Sequence, residues 1–169
     1  MFPVDTLNTV TPRKVLFGDF NGDGQLDMFV ASHGWDTQPY PGEQNRLFLS
    51  RPGGGWRDAT AELPQLSDYS HTAAIGDIRG RGSLDVVIGN YLAPPPNRVL
   101  SYALLNNGSG QFTLSREVIP VAAGETMDAE SGHCLLGLTL ADLTGDGLPE
   151  LVVMGDATDG TKKLRRTTV

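Results

Sequence analysis

Cysteine is nearly missing from this sequence. One residue, Cys134, stands in 169, so no intrachain disulfide can hold the fold. A lone cysteine does not decide the redox compartment. No apolar run reaches the length of a membrane-spanning helix, which excludes a helical membrane anchor within the sequence. A basic excess is absent too. The net charge is −7, and that argues against a nucleic-acid backbone as the main partner. The start, Met1 to Asp5, has no basic region leading into an apolar stretch, so it reads as lacking a signal peptide. Amphipathic helical periodicity is missing throughout. What remains is a composition with 39% hydrophobic and 20% charged residues, which fits a soluble globular protein with a sizeable core. Gly (21) and Pro (11) are abundant without a collagen-like period, and they point to tight turns between short strands.

The sequence repeats itself. Val15–Ala31, Ala73–Gly89 and Leu138–Met154 align, with leading acids Asp19, Asp77 and Asp142 spaced 58 and 65 residues apart. Each segment reads strand, Gly-rich loop, strand, because its Val, Ile, Leu and Phe runs are too short for helices. Two more strand-like runs follow in the first unit, Arg46–Ser50 and Trp56–Thr60, and in the second, Val99–Leu105 and Gln111–Val118. A repeated unit of four antiparallel strands is the pattern of a propeller blade. The expected architecture is therefore all-β, a β-propeller segment of about three blades. The expected boundaries are blade 1 at 15–65, blade 2 at 71–120 and an incomplete blade 3 at 133–169, with 1–14 as a possible closing strand. A closed ring needs at least four blades, so either this is part of a longer protein or copies join into a ring.

The loops carry the chemistry. The first reads D-x-N-G-D-G-x-x-D, and its Asp19, Asn21 and Asp23 alternate so that a tight turn aims their oxygens inward. Gln25 would add a backbone carbonyl, and Asp27 would close the site from the next strand. Calcium takes six to eight such hard oxygen donors. The competing reading is a hairpin turn capped by Asx hydrogen bonds. Three packed carboxylates repel one another without a cation, which favours the ion. The third loop offers Asp142, Thr144, Asp146, the carbonyl of Leu148, and Glu150. The second loop has Arg79 and Arg81 where ligands should stand. A guanidinium cannot ligate a cation but can pair with a carboxylate, so the Asp77–Asp85 loop is expected to be metal-free, with an arginine neutralising Asp77 or Asp85. Two Ca2+ ions are expected in all.

These loops, together with Leu105-Asn-Asn-Gly-Ser-Gly-Gln-Phe112, resemble the FG-GAP/VCBS repeat family, which includes the propeller of integrin α-subunits. The resemblance covers about residues 15–155. It implies a calcium-stabilised propeller, usually extracellular or periplasmic, used for adhesion or for binding carbohydrate or protein. The Arg-bearing second loop departs from the family pattern.

With the loops at one end of each blade, the other end would carry His33, Trp35, Asp36 and Tyr40, then Ser70 and His71, then Ser131, His133 and Cys134. This reads as a possible polar, aromatic ligand face for a glycan or protein, set against ordinary loop packing. A His71/His133/Cys134 zinc site lacks the usual ligand spacing, and no nucleophile motif supports a Ser/His/Asp triad. Asn107-Gly-Ser109 fits a glycosylation sequon but sits in a tight turn. The basic stretch Lys162–Arg166 is too short to argue for nucleic acid. The sequence favours a non-catalytic binding module. A polysaccharide lyase or sugar dehydratase, with His71 or His133 as base, and a self-assembling protein joined by blade edges stand as alternatives.

Overall fold

The computed structural model describes residues 8–91, 99–117, 134–156 and 162–167. Short apolar runs between Gly-rich turns form strands, and successive strands pair as antiparallel meanders. The first sheet takes β1 (Pro12–Gly18), β2 (Asp27–Ser32), β4 (Arg46–Ser50) and β5 (Trp56–Asp58) in the order β1-β2-β4-β5. The two-residue strands β3 (Glu43–Gln44) and β6 (Ser67–Asp68) pair with each other. The second sheet is built of β7 (Ser70–Gly76), β8 (Asp85–Asn90), β9 (Tyr102–Asn106) and β10 (Phe112–Ser115) in the order β10-β9-β8-β7. The third joins β11 (Cys134–Ala141), β12 (Glu150–Asp156) and β13 (Lys162–Thr167). A single 3-10 turn, Thr60–Glu62, is the only helix among the described residues. No helix among them is long and apolar enough to cross a membrane.

The three loop hairpins share one register. Gly18 pairs with Asp27, Gly76 with Asp85 and Ala141 with Glu150, so the same pair closes each loop. Each hairpin also slips by one residue near its open end, between Pro12 and Lys14, Ser70 and Thr72, and Leu135 and Gly137. The extra residues there include Arg13 and His71, and such bulges re-aim side chains.

The second sheet is covered on both faces. Val86 and Ile88 join Phe29, Leu47, Leu49 and Phe112 in one core cluster, while Val87 on the opposite face joins Leu138 and Leu151 in another. Alternation along β8 thus sends neighbours into two different cores, and all six of its residues are buried. Close approach of neighbouring sheets explains two glycines. A Cβ on Gly18 would meet Leu84 at 2.6 Å, and one on Gly76 would meet Leu140 at 3.1 Å.

Pro12 and Lys14 pair with Ser32 and Ala31, so β1 starts before Val15, because β2 runs far enough to partner them. Residues 1–7 lie outside the described residues. The β3–β6 pair was not anticipated, since two residues carry no readable period.

Candidate functional site

Each loop begins with an acid that folds the turn around itself. In loop one, Asp19 Oδ1 accepts the N–H groups of Gly22 and Asp23 at 2.7 and 3.1 Å, and Oδ2 accepts that of Gly24 at 2.8 Å. Asn21 Oδ1 accepts the Asp23 N–H at 3.0 Å, and Asp23 Oδ1 accepts the Gln25 N–H at 2.8 Å. In loop two, Asp77 takes the N–H groups of Arg81 and Gly82. Burial opposes its ionisation, but the backbone donors, Arg81 and Gly82 foremost, outweigh that and hold its carboxyl below the usual carboxylate range. In loop three, Asp142 takes those of Gly145 and Gly147, which lower its carboxyl likewise, and Asp146 takes that of Leu148.

The ninth residue of each loop is different: it is a buried carboxylate at the loop's base. Asp27 and Asp85 are 0% exposed and Glu150 is 1% exposed. Asp27 accepts the N–H groups of Phe20 at 2.9 Å and Ser50 at 2.8 Å. Glu150 accepts the Leu143 N–H at 2.7 Å and the Thr144 hydroxyl at 3.1 Å. Asp85 accepts the Asn106 N–H at 2.8 Å, but it also receives a guanidinium: Arg79 Nε at 3.0 Å and Nη2 at 2.7 Å. Arg79 Nη2 further donates to the Asn106 carbonyl at 2.6 Å. The arginine expected to neutralise Asp77 or Asp85 is thus Arg79, and its partner is Asp85. The hydrogen bond to Asp85 pushes the Arg79 guanidinium above its ordinary pKa.

The donor chemistry of loops one and three fits a hard divalent cation: Asp19, Asn21, Asp23 and Asp27 in one, Asp142, Thr144, Asp146 and Glu150 in the other. The observation that supports the fit is Arg79, a positive group held by the ninth-position carboxylate where the other loops have none in sequence. As the side chains lie, no three acids converge as a metal cluster among the described residues, because Asp19 and Asp23 turn their oxygens onto the loop's own amides.

The opposite end of the strands gathers aromatic rings and imidazoles. His33 follows β2 and stacks edge-on against Tyr69 at 4.2 Å between ring centroids. His71 lies 5.9 Å from His33 and 5.9 Å from Tyr91, and Tyr40 lies 6.1 Å from Tyr69. The Tyr69 hydroxyl donates to the Trp35 carbonyl at 2.5 Å. Trp35 is 61% and Tyr91 45% exposed, whereas His33 is 2% exposed. Nδ1 of both His33 and His71 is buried with no hydrogen-bond partner. Burial first, then the charge of Arg13, lowers the pKa of both imidazoles, and Asp36 pulls the other way. The fold therefore brings together His33, Trp35, Asp36, Tyr40 and His71. Ser70 is instead buried, its hydroxyl donating to Asp68 Oδ1 at 2.9 Å. Ser131 and His133 lie outside the described residues, as does the Cys134 side chain.

Sequence reasoning missed Tyr69, Tyr91 and Arg13. Tyr91 follows β8 as His33 follows β2, so the repeat itself pointed to it. It also missed Asp68, a fully buried acid held by Ser70, by Asn90 Nδ2 at 3.1 Å and by the Tyr102 hydroxyl. Desolvation raises its pKa to about 6 against those hydrogen bonds. Asn45, between β3 and β4, accepts the Ser32 N–H of β2 and donates to the same Tyr102 hydroxyl at 3.1 Å, so this network ties the first two sheets together.

Residues 19–88 match the family model described as FG-GAP-like repeat. Over that span the chain is similar to the FG-GAP-like repeat. The matched span opens on Asp19 and closes inside β8, so the FG-GAP-like segment includes loops one and two, with Arg79 and Arg81 within it. No curated protein matches the sequence.

Proposed function

We propose that this chain is a calcium-braced segment of a β-propeller that binds a glycan or protein partner outside the cytoplasm. Calcium sits in loops one and three and has a structural role, and recognition takes place at the end bearing His33, Trp35, Tyr40, His71 and Tyr91. The observation that carries this reading is the Arg79–Asp85 pair. One repeat holds its buried ninth-position carboxylate with a guanidinium, while Asp27 has no ion pair among the described residues. A cation from solution would supply in loop one what Arg79 supplies in loop two. Asp19, Asn21, Asp23, Asp27 and the Gln25 carbonyl would hold the first ion; Asp142, Thr144, Asp146, Glu150 and the Leu148 carbonyl would hold the second. The ion would neutralise these carboxylates and lock the hairpin ends. Extracellular modules bind calcium at roughly 0.1–1 mM, which suits such a location.

The blade reading is supported by a wedge at position two of each loop. Phe20 and Ile78 fill the contacts with the next sheet, and Leu143 is 54% exposed, as it would be awaiting another blade.

Calcium titration against thermal unfolding tests the proposal. At about 100 times Kd, one bound ion adds about 2.7 kcal/mol, which corresponds to a rise of roughly 5–10 °C in Tm for a chain of this size. Asp19→Ala with Asp142→Ala should abolish the rise. A melting curve indifferent to both calcium and chelator would sink the proposal. The buried, unpaired Nδ1 of His71 favours one second reading, a lyase in which neutral His71 takes a proton from a uronic-acid polymer. An ultraviolet-absorbing unsaturated product would establish it; its absence over a substrate panel, with binding retained, would leave the module.

A further inference from the structure

Loop two differs from its neighbours by two arginines, and only one of them is used internally. Arg79 is committed to Asp85 and the Asn106 carbonyl. Arg81 donates its backbone N–H to Asp77, while its exposed side chain makes no ion pair among the described residues. Arg81 lines an open groove of about 440 Å³ between loop two and the β9–β10 turn. Ser83, Asn107 and Thr113 line it as well, and no acidic side chain does. The two acids of loop two are spoken for: Asp85 lies buried against Arg79, and Asp77 faces the loop amides.

Both walls are fixed before any ligand arrives. Asp77 ties down the loop through Arg81 and Gly82. On the other wall, Asn106 Oδ1 accepts the N–H groups of Gly108 and Gly110, and its Nδ2 donates to the carbonyls of Phe20 and Leu84. Little backbone ordering is left for binding to oppose, and the Arg81 side chain is what it has still to fix.

The geometry points to an anion-binding site here: the Arg81 groove receives the carboxylate or sulfate group of an acidic saccharide. The guanidinium offers a fork of N–H donors that matches a planar or tetrahedral oxyanion. The Thr113 hydroxyl and the Asn107 Nδ2 hydrogen not used on Gln111 can donate to ring hydroxyls, and Ser83 Oγ, which donates to the Asn106 carbonyl, can accept from them. The groove has no aromatic ring on which a neutral sugar would stack, so the charged group is the anchor. The repeat whose loop carries arginines where the others carry Asn21, Asp23, Thr144 and Asp146 thus presents a cation of its own.

The test is a titration of the whole chain, followed by backbone NMR, with trigalacturonate, a sulfated disaccharide and a neutral trisaccharide. The two acidic probes separate carboxylate from sulfate as the preferred group. At least one should bind, with shifts at Arg81, Ser83, Asn107 and Thr113, and binding should weaken in about 0.5 M sodium chloride as screening predicts. Arg81→Ala should weaken it about tenfold, with Arg81→Lys between. Arg81→Ala removes an exposed side chain, so an unchanged melting midpoint verifies the fold. Failure of both acidic probes to bind, equal binding of the neutral one, no effect of Arg81→Ala, or shifts confined to the His33 end would each overturn the assignment.

Discussion

Asp85 keeps its charge out of water because the Arg79 guanidinium sits on it, with the Asn106 N–H completing its hydrogen bonds. Removing one partner of such a pair leaves the other stranded, so Arg79→Ala should destabilise the fold on the order of 3 kcal/mol. Urea unfolding would measure it. The double change Arg79→Ala with Asp85→Ala should recover part of that loss, since no buried charge is then uncompensated. Asp68 is the other buried acid with a measurable signature. Its folded pKa is raised from 3.8 to about 6, so the folded state binds the extra proton between those values. Stability from this group is present below the unfolded pKa and declines as pH rises through about 6, by on the order of 3 kcal/mol. The imidazoles of His33 and His71, both lowered, act in the opposite sense, costing stability as pH falls below their ordinary value of 6.5. The clean readout is therefore a difference: the stability of the parent relative to Asp68→Asn should fall between pH 4 and pH 7. A flat difference would show that Asp68 ionises normally. The loop acids were legible from residue type and spacing. Asp68 was not, because Ser67-Asp68-Tyr69 carries no motif and its burial depends on Tyr102 and Asn90 from later strands.

The loop hairpin is the element that repeats, and its second residue decides how firmly it joins the stack. Phe20 is 0% exposed, packs at 6.0 Å edge-on against Phe112 and at 6.5 Å against Phe29. Phe20→Ala should cost about 3–5 kcal/mol, whereas Leu143→Ala, at an exposed equivalent position, should change stability by less than about 0.5 kcal/mol. Thermal unfolding of the two variants side by side checks the contrast; equal effects would contradict the wedge role of Phe20. The segment after β2 is held by glycine geometry. Gly34 has φ +77, and a Cβ there would lie 2.5 Å from the Gly42 backbone. Gly34→Ala should therefore both strain the left-handed backbone and push apart the segment that carries His33 and Trp35. The strands of the first two sheets were readable from their apolar runs to within a few residues. The bulges that aim Arg13 and His71 were not, because a one-residue slip shows only in the pairing.

Across the whole molecule, three antiparallel sheets stack through two apolar clusters, with the second sheet between the others. Loops and ring-bearing segments fall at opposite ends because every hairpin has the same register. An ion in the loops would thus act on the His33 end only through the strands, which is why its proposed role is structural. The sequence by itself determined the repeated strand–loop–strand units, the acid-bearing loops Asp19–Asp27 and Asp142–Glu150, and the arginines that stand at the matching positions of the loop in between. Those features are local: turn chemistry and side-chain alternation act over about ten residues and are written in residue type and spacing. Only the tertiary structure decided that Arg79 takes Asp85 rather than Asp77, that Asn45 and Asp68 meet at Tyr102, and that His33, Tyr69, His71 and Tyr91 share one cluster. Those outcomes depend on which groups lose water together, and desolvation is set by segments far apart in the chain.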